Sequence, residues 1–195
     1  MQLIMKKIIL TLSILVVSFN YSFSQTNIID VSLGETVNNS PSGTYIKDIN
    51  NTFAPFLGTW KYQNGNEILI IKLEKVTKYY YPQYGNYDDF IKGNYSYSTD
   101  GNLTYITNTI ISNNLVDDPN VNSLNSSGPH DSSEDSFSFI DEEYQKSADA
   151  KFTFLPNSTT QLTLKLSNIS RGYIYPEVAP NSGFSIPNNV ILTKQ

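Results

Sequence analysis

The chain has 195 residues, no cysteine, one histidine and a formal net charge of −5, and it is rich in Tyr (14) and Phe (10). Disulfide staples and thiolate chemistry are thereby excluded, and an acidic chain is a poor partner for nucleic acid or an anionic membrane surface. Abundant Tyr, Asn, Ser and Thr with little Ala or Arg is a strand-and-turn composition rather than a helical one.

Residues 1–24 read as a signal peptide. Lys6 and Lys7 form a positive start, Ile8 to Phe19 an apolar stretch, and Ser24 a small residue ahead of Gln25. The apolar stretch falls short of the roughly 20 residues a membrane span needs, and no later segment approaches that length. The expectation is a soluble periplasmic or secreted protein, not a lipoprotein, because no cysteine follows the signal to carry a lipid. Loss of Lys6 and Lys7 takes the charge from −5 to −7.

Residues 25–55 read as a polar N-terminal arm with turn formers at Pro41, Gly43, Asn50 and Asn51, and residues 56–195 as one domain. A first hairpin is expected around an Asn64-Gly65 turn, with Tyr62 facing Glu67, Trp60 facing Leu69 and Gly58 facing Ile71, so that these apolar positions share the buried face. A Tyr-rich connection, "KYYYPQYGNYDD", leads to a second hairpin at Asp100-Gly101 that pairs Tyr97 with Thr104, Tyr95 with Ile106, Gly93 with Asn108 and Ile91 with Ile110. Residues 112–134 carry almost no periodic apolar signal and read as a long loop. Alternation then predicts strands at 135–141, 148–155, 159–167 and 188–194, with Phe137, Phe139, Phe152, Phe154, Leu162, Leu164, Leu166, Val190 and Leu192 as apolar positions. A second irregular loop spans Arg171 to Ser185, and a turn of helix is allowed at Glu142 to Ala148. Eight sequential antiparallel strands predict an all-β fold closed as a single up-and-down β-barrel, since an open sheet would leave two edges and a bare apolar face. A two-sheet sandwich is the alternative.

Gly58-Thr59-Trp60, on the first strand of such a domain, resembles the opening signature of the lipocalin-like, or calycin, barrels. More narrowly, "KDINNTFAPFLGTWKY", the Asn108-Thr109 strand end and the closing "FSIPNNVILTK" resemble small exported bacterial lipocalin-like proteins of unknown function. The resemblance implies a fold and no activity. It also implies that Trp60 closes the barrel floor and that a basic side chain, Lys194 or else Arg171, lies across the ring by cation–π attraction. Gly58, Trp60 and Lys194 are thus the structural residues it singles out.

No catalytic grouping or cofactor motif emerges. His130, in "SSGPHDSSED", reads as a solvent-exposed imidazole with nothing to orient it. Asp131, Glu134, Asp135, Asp141 and Glu142 read as solvated loop and strand-end charges, and adjacent Glu142 and Glu143 would point to opposite faces of a strand. Glu67, on the inward side opposite Tyr62, is the acid that invites inspection. Asp118 to Asn122 imitates the start of a calcium loop, but Ser123 and Pro129 stand where Gly and Glu are required. With one histidine and no cysteine, zinc is not implied.

Three readings of function follow, two of them non-enzymatic and the last an unrecognised enzyme, which the lack of a catalytic grouping ranks third. In the first, Tyr95, Tyr97, Ile106, Asn108 and Phe152 line a cavity for a small apolar ligand, against the bland reading of a filled core. In the second, Tyr79, Tyr80, Tyr81, Tyr84 and Tyr87 form a surface patch through which an envelope module contacts a partner or glycan. Oligomeric state is not legible.

Overall fold

The computed structural model describes residues 26–100, 102–106, 123–126, 130–173 and 183–195. The leader at 1–24 and Asn108 lie outside them. The strands are β1 (Ile28–Asp30), β2 (Tyr45–Lys47), β3 (Gly58–Asn64), β4 (Glu67–Tyr81), β5 (Asn86–Thr99), β6 (Asn102–Ile106), β7 (Leu124–Ser126), β8 (Glu134–Asp141), β9 (Lys146–Phe154), β10 (Gln161–Tyr173) and β11 (Val190–Lys194).

Eight of these strands form a closed antiparallel barrel in the order β3-β4-β5-β7-β8-β9-β10-β11. One seam is β11 on β3, with Lys194 opposite Trp60. The other is β7 on β5, with Leu124 opposite Gly93 and Asn125 opposite Lys92. Closure leaves no free edge in the ring, which removes the cost of unpaired backbone groups. It also buries one side of every strand. Trp60, Leu69, Ile71, Leu73, Ile91, Tyr95, Phe137, Phe139, Phe152, Leu162, Leu164 and Leu192 are at most 1% exposed. In β8 and β9 the alternation is unbroken, with Asp135, Phe137, Phe139 and Asp141 inward on one and Lys146, Ala148, Ala150 and Phe152 inward on the other.

The local registers differ from expectation in ways that backbone chemistry explains. In the first hairpin Asn64 pairs with Glu67, so the two-residue turn is Gly65-Asn66. Gly65 has φ +60° while Asn66 stays at negative φ, the pattern of a turn that asks for Gly at its first central position. Trp60 therefore faces Ile71, Tyr62 faces Leu69 and Gly58 faces Leu73, each two residues beyond the expected partner. A shift of two preserves the face, and the predicted buried set survives.

In the second hairpin Thr99 pairs with Asn102, as the expected register has it, but a bulge at Tyr97/Ser98 moves the rest by one. Tyr97 consequently faces Tyr105, and Ser96 rather than Tyr95 faces Ile106. Gly93 faces Leu124 of β7 instead of Asn108. The barrel's fourth position is thus shared by two short strands, β6 and β7, both antiparallel to β5, with residues 107–123 between them. β7 falls inside the stretch read as a loop, because a three-residue strand has no detectable period.

Other strands run longer than the sequence suggested. β4 continues to Tyr81 and β5 begins at Asn86, so most of the Tyr-rich connection is hairpin, with a bulge between Val76 and Tyr79. β10 runs on to Tyr173, into the predicted second loop. Residues 142–145 form a turn rather than helix.

Residues 26–57 are bonded into the sheet. β1 pairs parallel with β2, and β2 pairs parallel with β5 at Tyr87 and Asp88. A 3-10 turn at Val31–Leu33, capped by the Asp30 carboxylate, follows β1. Phe53 and Phe56, from the turns just before β3, are fully buried in the core. They close the end of the barrel on which Trp60 stands, called the base below.

Candidate functional site

The base is built around Trp60. Its indole N–H donates to the Phe56 carbonyl at 2.6 Å. Phe154 packs edge-on to the indole at 5.8 Å and tilted on Phe56 at 5.1 Å. Lys194 Nζ lies 5.2 Å from the Trp60 ring centroid and donates to the Pro55 carbonyl at 2.8 Å. The side chain of Arg171, the other cation considered, lies outside the described residues. Gly58 has φ +116°, and a Cβ there would stand 3.3 Å from Lys194 Cε.

Beside the plug lies a buried ionic network that sequence reasoning missed. The Asp89 carboxylate accepts from the Tyr45 hydroxyl at 2.6 Å and from the backbone N–H groups of Lys78 at 2.8 Å and Asp48 at 3.1 Å. Asp48 accepts from the Thr52 N–H at 2.6 Å, and Lys75 Nζ reaches Asp48 at 2.8 Å and Asp89 at 3.4 Å. A single ammonium thus serves two buried carboxylates, and Phe53 lies 5.6 Å from the same nitrogen. Burial, then the Asp89 carboxylate, pushes the Tyr45 phenol up. Burial, again reinforced by Asp89, pushes the half-buried Asp88 carboxyl up to about 8.

His130 is placed quite differently from expectation. Its Nδ1 lies 2.8 Å from Asp135 Oδ1, and its ring stands edge-on to Phe53 at 4.7 Å. The imidazole is therefore oriented rather than free in solvent. Asp135 is fully buried, which raises its pKa against the opposing pull of His130, and its Oδ2 has no partner among the described residues. Asp141 is likewise buried, accepting from the Ser185 N–H at 2.8 Å and hydroxyl at 2.6 Å. Both acids were read as solvated. The available signal was their phase, since each lies an even number of residues from Phe137 and Phe139.

The residues named for a cavity do not share one setting. Tyr95 and Phe152 are fully buried, Tyr95 against Phe139 at 5.4 Å and Phe152 against Phe137 at 4.8 Å. Tyr97 is half-buried at the end opposite the base, where its hydroxyl donates to Glu67, and Tyr62 donates to the same carboxylate at 3.3 Å. Burial first and then Glu67 raise the Tyr97 phenol. Ile106 pairs through its backbone with Ser96 in β6.

The tyrosine hairpin at the end of β4 and start of β5 is the largest exposed aromatic feature of the described surface. Tyr80 is 46% and Tyr84 42% exposed, while Tyr79, Tyr81 and Tyr87 are half-buried. Tyr80 packs on Tyr87 at 4.9 Å, Tyr79 on Tyr81 at 4.7 Å, and Lys78 Nζ lies 5.3 Å from the Tyr87 ring. The N-terminal arm braces this hairpin. Buried Asn86 accepts from the Thr44 N–H at 3.0 Å and donates to the carbonyls of Val37 and Ser40 at 2.6 and 3.0 Å. Gly85 meets the arm so closely that a Cβ would fall 2.4 Å from Ser42 Oγ.

Among the described residues no group of three or more His, Cys, Asp or Glu is arranged to hold a metal. The calcium-like run Asp118 to Asn122 lies outside them. No described helix is long and apolar enough to cross a membrane. A family model, described as a family of unknown function (DUF6705), matches residues 5–195. The chain belongs to DUF6705. No curated protein and no solved structure matched the chain in the same comparisons. For this DUF6705 chain the barrel is established, and membership brings no activity with it. The lipocalin-like resemblance is consistent with the closed eight-strand ring.

Proposed function

We propose that this is an exported, non-enzymatic binding module that acts through its braced tyrosine hairpin, with the barrel as frame. The observation that carries the reading is the exposure of Tyr80 and Tyr84 on a hairpin pinned through Asn86. Tyrosine offers large contact area at low conformational cost, and bracing lowers the ordering entropy that binding would otherwise demand. The carrier reading, with a small apolar ligand inside the barrel, is less favoured, because Trp60, Tyr95, Phe137, Phe139 and Phe152 already fill the described interior.

Retention of the purified protein on washed envelope fragments of the source cell tests this. The wild-type chain should sediment with the fragments, and the Tyr80→Ala/Tyr84→Ala double variant should stay in the supernatant while keeping its thermal midpoint. Equal retention of both would overturn the reading. Saturable uptake of a fluorescent fatty acid, displaced by Phe152→Trp, would restore the carrier.

A further inference from the structure

Outside the base, a cleft of about 410 Å³ opens between Pro55, the turn before β8 and the β9–β10 turn. Its apolar side is formed by Pro55, Phe154, Leu155 and Pro156. Phe154 cannot swing away freely, because Phe56 and Trp60 hold its ring from behind. Its backbone is fixed too, with the Phe154 N–H on the Ser133 carbonyl at 2.9 Å and the Leu155 N–H on the Gln161 carbonyl at 3.0 Å.

The polar groups at this cleft divide into two kinds. Ser133 Oγ is occupied by Asp131, and Ser158 Oγ accepts from the N–H groups of Gln161 and Thr160 at 2.9 and 3.3 Å. The side chains of Ser132, Asn157 and Thr159 make no hydrogen bond among the described residues. Asn157 holds φ +61°, so its backbone is committed to the turn while its amide stays available. Among the described residues no charged side chain lines the cleft.

We infer that this cleft is a binding site for an uncharged, hydroxyl-rich ring, of the class of a neutral pyranose sugar. Such a ring has one face of C–H groups, which matches the apolar side at Phe154 and Pro156, and a rim of hydroxyls, which matches Ser132, Asn157 and Thr159. An anion would find no countercharge here, and a wholly apolar ligand would leave those polar groups desolvated without partners. The volume falls in the range of small-molecule pockets, roughly 300–1,000 Å³. The site is separate from the tyrosine hairpin, and neither depends on the other.

Amide NMR of the folded protein, titrated with the methyl glycosides of glucose, mannose and N-acetylglucosamine, tests the assignment. At least one should give saturable shifts at Ser132, Leu155 and Asn157 to Thr159, and glucuronate should give none. Phe154→Leu, which keeps the packing but removes the flat face, and Asn157→Gly, which keeps the left-handed backbone but removes the amide, should each weaken that binding about tenfold, or about 1.4 kcal/mol. Tyr80→Ala should leave it unchanged. The inference is overturned by absence of saturable shifts with all three glycosides, by shifts confined to other surfaces, by indifference to both cleft variants, or by saturation with octanol alone.

Discussion

The Lys194 ammonium lies over the Trp60 indole because Gly58 leaves it a path. The nitrogen is 5.2 Å from the ring centroid, and the lysine stem passes where a side chain at position 58 would begin. The Gly-x-Trp triplet is thus one device, in which the glycine makes room for the cation that covers the tryptophan. Gly58→Ala should destabilise the protein by about 1–3 kcal/mol, since it adds both positive-φ strain and a tight contact. Lys194→Met should cost about 0.5–2 kcal/mol through the lost cation–π term, and Trp60→Ala about 3–5 kcal/mol. Denaturant midpoints would order the three.

Gly93 governs the second seam. A Cβ there would stand 2.5 Å from Leu73 Cδ2, 3.0 Å from the Lys72 carbonyl and 3.3 Å from Leu124 Cβ. Gly93→Ala should therefore cost about 1–3 kcal/mol by overpacking. Hydrogen exchange should show β7 losing protection first, because its pairing with β5 is confined to Lys92 and Gly93.

Asp88 makes stability depend on pH. Its carboxyl, pushed up to about 8 from 3.8, binds its proton more tightly in the folded state than in the unfolded one. Ionisation therefore works against folding, and the loss grows from about pH 4 and levels off above about pH 8. Asp88→Asn should stabilise the protein at pH 8.5 by more than about 1 kcal/mol and leave it unchanged near pH 3. Urea unfolding at the two pH values measures the difference.

His130 and Asp135 form the other buried charge relationship at the base. His130→Ala removes one of the two partners of Asp135 Oδ1, leaving only the Ser136 N–H at 2.8 Å to a carboxylate whose other oxygen is already unpaired among the described residues. The expected loss is about 1–3 kcal/mol. Asp135→Asn in the same background should recover part of it, and thermal midpoints of both variants decide the matter.

Asn86 joins the arm to the tyrosine hairpin. Asn86→Ala takes the amide from the Val37 and Ser40 carbonyls and leaves the Thr44 N–H only its 3.2 Å bond to the Pro41 carbonyl, at about 1–3 kcal/mol for the buried groups. Amide exchange at residues 79–87 and 37–45 should rise together, while exchange in β8 to β10 stays unchanged.

The barrel was legible because its long strands alternate cleanly. Trp60, Leu69, Ile71, Phe137, Phe139, Phe152, Leu162, Leu164 and Leu166 all face the core as their period demands. The turn at Gly65 was displaced by one position, which changed partners by two and faces not at all. β1, β2 and β7, three residues each, are too short for periodicity to register and are held by neighbours distant in sequence. The polar network failed for a related reason. Asp48, Lys75, Asp89, His130 and Asp135 come from four separate segments, and only the parallel docking of β2 on β5 and the turn before β8 bring their charges to one place. Composition suggests solvent for each of them singly, because isolated charges avoid burial and mutual pairing is a tertiary property.

The split fourth strand has an evolutionary and practical corollary. Ile106 and Leu124 are anchored on Ser96 and Gly93 of one and the same strand, only three positions apart. Whatever chain is spliced between them begins and ends at neighbouring points on a frame that is already complete. That seam is a natural port for grafting, where a foreign peptide or whole domain can be inserted and its length varied while the rest of the molecule folds as before.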